Sequence, residues 1–333
     1  MEKILLGDGE FTAEIWSLGA AVNDLRMPDR SGQIGSVVLG YPDEAARRAG
    51  SAYLGEICGP FGNRIAAGGF VIDGQTYTPD LNESTTATLH GGPHGWSYAD
   101  WEVVEAGGNR ARLHLDWEDP KSGGFPGPIH ADVVYELEGW TLTHTITATT
   151  ETPTVLNIIS HPYFNLSLTG EAIDDHYLQV CANGYLAVDE ALIPLAGAPQ
   201  GVEGTPFDFR VARRLGDALA TPYPQIQAHK GLDHAFVLDE ALAEMGLPAA
   251  VLMHPPSGRS LAIMTDYPAL QVYTGQYLAE PGIHPVGAGG ARSGIALETQ
   301  GFPNAPCRPD FPNSVVDPGE VYVRTTTWAF QVI

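Results

Sequence analysis

The sequence is poor in cysteine and in positive charge. Its three cysteines, Cys58, Cys181 and Cys307, are far apart and form no Cys-x-x-Cys pair, which excludes a zinc knuckle and argues against a disulfide framework. Only 17 Lys and Arg residues accompany 40 Asp and Glu residues, and the net charge is -23. Nucleic acids and anionic membranes attract clustered Lys and Arg, so we expect no nucleic-acid partner and no membrane partner.

Targeting signals and long apolar runs are also missing. Residues 1–10 lack a basic stretch followed by an apolar core, so no secretory signal is visible. No apolar run approaches the ~20 residues of a membrane-spanning helix. Because free thiols suit a reducing compartment, the sequence predicts a cytoplasmic protein. Its oligomeric state, monomer or homodimer, stays open.

Turn-forming residues are plentiful, with 39 Gly and 26 Pro in 333 residues, and frequent turns favour short strands over long helices. The Asp73-Gly74 pair within residues 70–77 predicts a hairpin, because it readily adopts the positive φ angles of a type I′ turn. Residues 111–117 alternate between apolar and polar, and residues 131–150 have the pattern of a long hairpin.

Helical patterns are few, at Arg210–Leu219 and Asp239–Met245. No repeat, linker or change of composition marks a boundary, so we expect one domain over residues 1–333. The pattern predicts an all-β fold, either a sandwich or a barrel.

Residues 294–303, Gly-Ile-Ala-Leu-Glu-Thr-Gln-Gly-Phe-Pro, place one carboxylate, Glu298, in an apolar, strand-like run. A carboxylate is expensive to bury unpaired, so Glu298 is either a partnered structural residue or a functional one. Five further segments combine polar residues with glycine or apolar neighbours. They are Asn63-Arg64-Ile65, Leu89-His90-Gly91-Gly92, Ser160-His161-Pro162-Tyr163-Phe164-Asn165-Leu166, Gly231-Leu232-Asp233-His234 and Gln271-Val272-Tyr273-Thr274-Gly275.

In this order the segments resemble the aldose 1-epimerase (galactose mutarotase) family, and the similarity runs from Leu18-Gly19-Ala20 to Pro318-Gly319-Glu320. The resemblance implies a large antiparallel β-sandwich, a supersandwich, with a cleft on the concave face of one sheet. It also implies interconversion of the α and β anomers of a free hexose such as galactose or glucose, so the expected partner is a monosaccharide. Because that reaction moves only protons, we expect no cofactor and no metal.

The resemblance also assigns roles to residues. Glu298 resembles the family's base, which takes the proton of the C1 hydroxyl, and His161 resembles the acid that protonates the ring oxygen. With reference pKa values near ~4.3 for Glu and ~6.5 for His, a Glu⁻/His⁺ pair is expected at neutral pH. Substrate-binding roles are implied for Asn63, Arg64, His90, Tyr163, Asp233 and Gln271.

Several of these residues have simpler interpretations. Arg64 and Asp233 can form an internal salt bridge, and Tyr163 can belong to the core. Two departures from the family pattern, Pro60 and Ser160, leave the substrate preference open. A sulfo-sugar or sugar phosphate is the alternative substrate, and it would need cations from Arg47-Arg48 or Arg213-Arg214.

Other classes of protein fit parts of the sequence. A metal oxygenase would use His114-Leu115-Asp116 or His130-Ala131-Asp132, since His-x-Asp is half of a facial triad. A hydrolase would need a Gly-x-Ser-x-Gly turn, which the sequence lacks. A non-catalytic carbohydrate-binding protein of the same fold would keep Arg64 and Asp233 but has no use for a base and an acid together. The presence of both Glu298 and His161 therefore favours an enzyme, an isomerase.

Overall fold

Strands dominate the chain in the computed structural model, which describes residues 1–7, 9–167, 169–280, 282–284 and 288–333. Along the chain they are β1 (Lys3–Leu6), β2 (Thr12–Trp16), β3 (Ala21–Pro28), β4 (Ile34–Ser36), β5 (Ile57–Cys58), β6 (Arg64–Ala66), β7 (Phe70–Ile72), β8 (Gln75–Tyr77), β9 (Ala87–Leu89), β10 (Glu102–Gly107), β11 (Arg110–Trp117), β12 (Ile129–Glu138), β13 (Thr141–Thr150), β14 (Thr154–Val155), β15 (Ile159–Ser160), β16 (Tyr163–Phe164), β17 (Tyr177–Val180), β18 (Ala182–Tyr185), β19 (Gln200–Gly201), β20 (Arg213–Arg214), β21 (Asp233–Leu238), β22 (Ala250–His254), β23 (Arg259–Thr265), β24 (Ala269–Tyr273), β25 (Ile295–Gln300), β26 (Val315–Val316) and β27 (Tyr322–Val332).

Helices are short and lie between the strands. The α-helices are α1 (Glu44–Ala49), α2 (Leu215–Leu219), α3 (Pro224–His229) and α4 (Ala241–Met245), and single 3₁₀ turns occupy Trp96–Tyr98, Ile173–Asp175 and Ala305–Cys307. The helix predicted at Arg210–Leu219 is wrong over its first half, because Arg213 and Arg214 pair with β17 as strand β20. Within the described ranges, no helix has the length and apolar character needed to cross a membrane.

Two large antiparallel sheets form a sandwich, which confirms the all-β prediction. One sheet has nine strands in the order β10-β11-β12-β13-β27-β23-β22-β17-β20, and the other has six in the order β16-β25-β24-β21-β18-β19. Their facing sides share one apolar core. In this core the rings of Phe164 on β16 and Trp328 on β27 meet almost at right angles, with centroids 5.4 Å apart.

The alternation of β25 directs Glu298 away from that core. Leu297 is buried in the core, and the hydroxyl of Thr299 lies 2.7 Å from that of Thr326 on the nine-stranded sheet. Because successive strand residues point to opposite faces, Glu298 between them points to the other face of the six-stranded sheet. On the neighbouring strand β24 its register partner is Gln271.

The predicted hairpins are confirmed. Strands β7 and β8 join through Asp73 and Gly74, whose φ angles of 49° and 78° are both positive. Strands β12 and β13 pair over their full lengths on either side of Gly139. Local turn chemistry therefore determines these connections, as the sequence indicated.

Arg259 ties a smaller, four-stranded sheet (β1-β2-β3-β4) to the sandwich. Its side chain, on β23, is fully buried. It donates hydrogen bonds to backbone carbonyls of the four-stranded sheet and to the carbonyl of Leu166, which follows β16. The acceptors are the carbonyl oxygens of Met27 (2.5 Å), Pro28 (3.3 Å), Gln33 (3.4 Å), Gly35 (3.4 Å) and Leu166 (3.4 Å). Burial lowers the pKa of Arg259 to about 10, so the guanidinium remains charged at neutral pH and binds these carbonyls through charge-assisted hydrogen bonds.

Candidate active site

A cleft of about 400 Å³ collects most of the predicted site residues. Seven of the eight line it: Asn63, Arg64, His90, His161, Tyr163, Asp233 and Glu298. A cavity of similar size, about 430 Å³, lies around Tyr267 and Tyr322 and contains none of them. The cleft is the candidate active site because it gathers buried titratable groups from distant segments of the chain.

Glu298 and His161 face each other on the floor of the cleft. Glu298 Oε1 lies 3.4 Å from His161 Nε2, and both side chains are almost completely buried. The second oxygen of Glu298, Oε2, and the second ring nitrogen of His161, Nδ1, find no hydrogen-bond partner in the part of the chain that the structure describes. Buried polar atoms usually have partners, so these two atoms point to a ligand that supplies hydroxyl groups.

Burial sets the charge state of this pair. It raises the pKa of Glu298 well above its usual value, with the charge of Asp233 adding to the effect and Arg64 opposing it. It lowers the pKa of His161 to about 4. Both directions oppose the Glu⁻/His⁺ pair expected from the reference pKa values, because desolvation disfavours both charged forms. Both shifts favour the uncharged form of each group.

His90 is a neutral hydrogen-bond donor beside this pair. Its Nδ1 accepts the backbone N–H of Asn63 at 3.1 Å, and burial holds its pKa well below the usual value. The proton of the neutral ring is therefore on Nε2. Its ring meets that of His161 edge to face, with centroids 5.1 Å apart.

The Leu-His-Gly-Gly motif makes this placement possible. His90, Gly91 and Gly92 all have positive φ angles, of 52°, 84° and 80°. A Cβ on Gly91 would lie 2.0 Å from the carbonyl oxygen of Gly59. Only glycine combines that backbone angle with that close approach.

Arg64 is held by two carboxylates, one of which the sequence did not indicate. Its Nε and Nη2 donate to Glu83 Oε2 and Oε1 at 2.6 and 2.9 Å, and Nη2 lies 3.8 Å from Asp233 Oδ2. All three residues line the cleft. The internal ion pair considered for Arg64 and Asp233 thus exists, but Glu83 is the nearer partner of Arg64.

Gln271 is the predicted site residue that does not line the cleft. Instead it belongs to a buried chain of amides that runs head to tail. Asn63 Nδ2 donates to Gln300 Oε1 (3.2 Å), Gln300 Nε2 donates to Gln271 Oε1 (3.1 Å), and Gln271 Nε2 donates to Asp233 Oδ1 (2.6 Å). The structure therefore gives Gln271 a contact with Asp233, through which it orients that carboxylate.

Four tyrosines line the cleft: Tyr53, Tyr163, Tyr273 and Tyr277. The ring of Tyr163 lies 5.1 Å from that of His161, and Tyr273 meets Tyr163 at 6.0 Å. Tyr53, which the sequence did not indicate, lies 4.6 Å from the ring of His90 and 6.0 Å from that of His161. Its φ angle is 56°, which is unusual for a residue with a bulky side chain.

Pro60 and Ser160, the two departures from the family pattern, do not line the cleft. Ser160 is buried and is the last residue of β15, directly before His161. The lining of the cleft includes residues of the family pattern together with others outside it, among them Tyr53 and Glu83.

His90, His161 and Glu298 have the donor types of a metal site, with donor atoms within 4.8 Å of one another. The hydrogen bond from Asn63 N–H to His90 Nδ1 argues against that use. It keeps the ring proton on Nε2, and a metal needs an unprotonated nitrogen. The arrangement as it stands suits proton transfer better than metal binding.

The rival metal pairs lie outside the cleft. His114 and His130 on β11 and β12 both contact the exposed carboxylate of Asp116. Among the described residues they do not form a compact group of three metal donors. Their contacts with Asp116 make them part of a hydrogen-bond network at the surface.

Comparison with known proteins shows the family to which this fold belongs. The family model described as aldose 1-epimerase matches residues 2–328. The chain is 36% identical to the human galactose mutarotase, covering 100% of this chain and 94% of that protein. It is 32% identical to the aldose 1-epimerase of Escherichia coli (strain K12), covering 94% and 90%.

Solved structures are similar over the whole length. An aldose epimerase homologue from C. elegans superposes with a TM-score of 0.90 at 26% identity, covering 100% of this chain and 99% of that chain. A galactose 1-epimerase from Lactobacillus acidophilus superposes with a TM-score of 0.82 at 29% identity, covering 98% and 92%. The chain belongs to the aldose 1-epimerase family.

Proposed function

We propose that this protein is an isomerase, an aldose 1-epimerase that interconverts the α and β anomers of a free hexose such as galactose or glucose. The observation that carries the proposal is the approach of Glu298 Oε1 to His161 Nε2, 3.4 Å, at the floor of a cleft lined by Arg64 and Asp233. A base and an acid this close can act on two neighbouring oxygens of one pyranose ring.

Ring opening needs two proton transfers. The reaction starts once the proton shared by the pair is on His161. Glu298, then a carboxylate, takes the proton of the C1 hydroxyl, while His161, then an imidazolium, gives a proton to the ring oxygen. The bond between C1 and the ring oxygen breaks and an aldehyde forms at C1. After rotation about the C1–C2 bond, the C5 hydroxyl attacks the other face of the aldehyde, its proton returns to His161, and Glu298 returns its proton to the oxygen on C1. Atoms and charge balance without an oxidant, a reductant or a metal.

The remaining cleft residues bind and orient the sugar. Arg64 and Asp233 offer donors and an acceptor to its hydroxyls, and His90 offers its Nε2–H, while Asn63 holds His90 through its backbone. Tyr163 is an apolar wall beside the acid. Orientation of this kind supplies much of the rate enhancement in proton-transfer enzymes.

The charges of the chain favour a neutral sugar over a sulfo-sugar or a sugar phosphate. Arg64 is already paired with Glu83. Arg213 and Arg214 are not among the residues that line the cleft, and Arg214 pairs with Asp175 and Asp217. An anionic substituent needs a free cation, which these residues do not offer.

We further propose one domain over residues 1–333 and a location in the cytoplasm. One contiguous apolar core joins both large sheets, which supports the single domain. Three unpaired cysteines support a reducing compartment.

The test is to dissolve a single anomer and to monitor its mutarotation by polarimetry or by NMR of the anomeric protons. The purified protein should accelerate equilibration of α-galactose and α-glucose beyond the spontaneous rate. No acceleration for any aldose in a panel of hexoses and pentoses would refute the proposed activity.

A further inference from the structure

A smaller cavity, of about 270 Å³, adjoins the cleft. Ser51 and Tyr53 line both spaces. The side cavity, as we name it, is completed by Arg47, Glu56, Ser97 and Tyr98. Nothing in the proposed proton transfers uses these four residues.

Three deeply buried polar side chains of the side cavity have unused hydrogen-bonding capacity. Arg47, Glu56 and Ser97 are only 4%, 4% and 5% exposed. Within the described residues, Arg47 Nε, Glu56 Oε2 and Ser97 Oγ are without a hydrogen-bond partner. A donor, an acceptor and a hydroxyl in one cavity are the complement of a molecule with several hydroxyl groups.

The charges of the side cavity are balanced. Arg47 is in direct contact with Glu56. Arg48, at the rim, pairs with Glu44 at 2.8 Å and with Asp100 at 2.9 Å. A phosphate or sulfonate would meet paired cations and the carboxyl of Glu56, so the cavity suits an uncharged ligand.

Aromatic side chains give the side cavity a second feature of carbohydrate sites. The rings of Tyr53 and Tyr98 lie 6.2 Å apart at 58°, and their hydroxyls are 3.3 Å apart. Apolar ring faces next to a few polar groups are typical of small-molecule sites. A sugar ring presents both kinds of surface.

The position of the side cavity indicates which carbon of the substrate faces it. This step rests on the proposed function, in which His161 acts on the ring oxygen. Tyr53 packs against the rings of His161 and His90, so the side cavity lies beyond the ring-oxygen side of the sugar. The ring oxygen is bonded to C1 and C5. Because C1 must carry a free hydroxyl for mutarotation, a group that reaches the side cavity must extend from C5 through C6.

We propose that the side cavity binds a second hexose unit attached to O6 of the reacting sugar, so that reducing 1→6-linked disaccharides are substrates.

The experiment compares glucose with melibiose, in which galactose is linked to O6 of glucose, and with maltose, in which glucose is linked to O4. Exchange between anomers is measured by NMR at pH 7 for each sugar. We expect kcat/KM for melibiose to be at least that for glucose and to exceed that for maltose. Melibiose turned over no better than maltose would overturn the proposal.

Two variants examine the side cavity itself. Ser97→Leu fills it and Tyr98→Ala removes one of its aromatic walls. Each should lower kcat/KM for melibiose roughly three- to tenfold, the range for loss of one aromatic contact, with glucose changed less than about twofold. Tyr177→Ala, on β17 outside both cavities, is the matched control. It should leave the ratio of kcat/KM for melibiose to kcat/KM for glucose unchanged. Equal losses for glucose and melibiose in both cavity variants would overturn the proposal.

A binding measurement separates this proposal from the proposed function. Saturation-transfer NMR on the Glu298→Gln variant reports contact with each ring of melibiose independently of turnover. We expect transfer to the protons of the galactose ring, and its loss when Ser97→Leu is added. Absence of that transfer would overturn the subsite, whereas a wild-type protein inactive on every monosaccharide would overturn the function.

Discussion

Glu298 and His161 form one proton-sharing unit at the scale of single residues. Their side chains are 2% and 3% exposed, and burial moves their pKa values in opposite directions. In such a coupled pair the titration belongs to the unit and not to either residue alone. The chemistry therefore depends on how many protons the pair holds.

The first prediction is the loss of catalysis in Glu298→Gln. The amide keeps the shape of the side chain but cannot accept the proton of the C1 hydroxyl, so kcat should fall by roughly 10²–10⁴-fold. Sugar should still bind, because the hydroxyl-binding residues are untouched. NMR exchange rates and saturation transfer measure the two effects.

His161→Gln is the companion variant and should do comparable damage. The double variant should lose less than the product of the single losses, because both residues act in one concerted step. Near-normal mutarotation by folded Glu298→Gln would refute the assignment of the base.

The second prediction concerns pH. The active pair holds one proton, so kcat/KM should be bell-shaped. Activity should rise with pH through about 4, where His161 gives up a second proton. It should fall on the alkaline side where Glu298, whose pKa is raised, loses the shared proton. The measurement is the enzymatic exchange rate across pH with the spontaneous rate subtracted.

Glu298→Gln provides the control for that profile, because it should remove the alkaline limb. A wild-type acid limb centred near ~6.5, the reference pKa of an exposed imidazole, would contradict the neutral, desolvated state assigned to His161.

The strands of the site act as a unit at the scale of secondary structure. Strands β21, β24 and β25 are neighbours in the six-stranded sheet, and their register brings Glu298, Gln271 and Asp233 to one face. Beneath the cleft, the amide chain from Asn63 to Asp233 links this sheet to the loop before β6. The chain holds Asp233 so that its second oxygen faces Arg64.

The third prediction tests that chain with Gln300→Met. Methionine keeps the length of the side chain but leaves Asn63 Nδ2 and Gln271 Oε1 without partners, each at a cost of about 1–3 kcal/mol. We expect a lower melting temperature and a higher KM, because Asp233 loses its fixed orientation. Steady-state kinetics over a range of galactose concentrations measures KM and kcat separately.

Thr299→Val, next to Gln300 but facing the core, is the control for stability. It should lower the melting temperature without changing KM. If Gln300→Met behaved in the same way, the amide chain would be structural only.

Some elements could be predicted from the sequence and others could not. Hairpins with a strong turn signal, such as Asp73-Gly74, depend on local backbone preferences and are predicted correctly. Helix α2 begins later than predicted because Arg213 and Arg214 pair with Tyr177 and Leu178, a tertiary contact that local propensity does not contain. Helix α3 was not predicted, although it begins with a proline in its first turn, a position that favours proline.

Some residues of the candidate site could likewise be predicted from the sequence, and others could not. Glu298, His161, His90 and Arg64 lie in recognisable motifs, and the structure brings them to one cleft. Tyr53, Glu83 and Gln300 were missed because their importance comes from contacts between distant segments. Gln300 is 237 residues from its partner Asn63, and no short pattern encodes such a contact.

At the scale of the whole molecule, Arg259 joins two sheets through backbone carbonyls. It lies on β23 of the nine-stranded sheet, and most of its acceptors belong to β3, β4 and the turn between them. A guanidinium can satisfy several carbonyls at fixed angles, whereas an ammonium has fewer donors and no fork.

The fourth prediction is that Arg259→Met destabilises the fold. The carbonyls of Met27 and Pro28 would lose a buried, charge-assisted donor, and the free energy of unfolding should drop by at least about 2 kcal/mol. Urea denaturation followed by fluorescence measures the change.

Arg30→Met is the matched control for Arg259→Met. Arg30 donates to the carbonyl of Ile333 at the surface, where such a bond contributes little. Equal destabilisation by both variants would show that Arg259 is not a special link between the sheets.

The left-handed backbone of Tyr53, Asn63 and His90, with φ angles of 56°, 63° and 52°, has a consequence for engineering. Side-chain-bearing residues in this region cost about 1 kcal/mol or more each. Replacement by glycine would relieve that strain, but it would also remove an aromatic wall, an amide link or an imidazole from the cleft. Stabilising substitutions should therefore be sought in the turns and on the surface of the sandwich. At the cleft, a substitution that relieves backbone strain also removes a group that turnover requires.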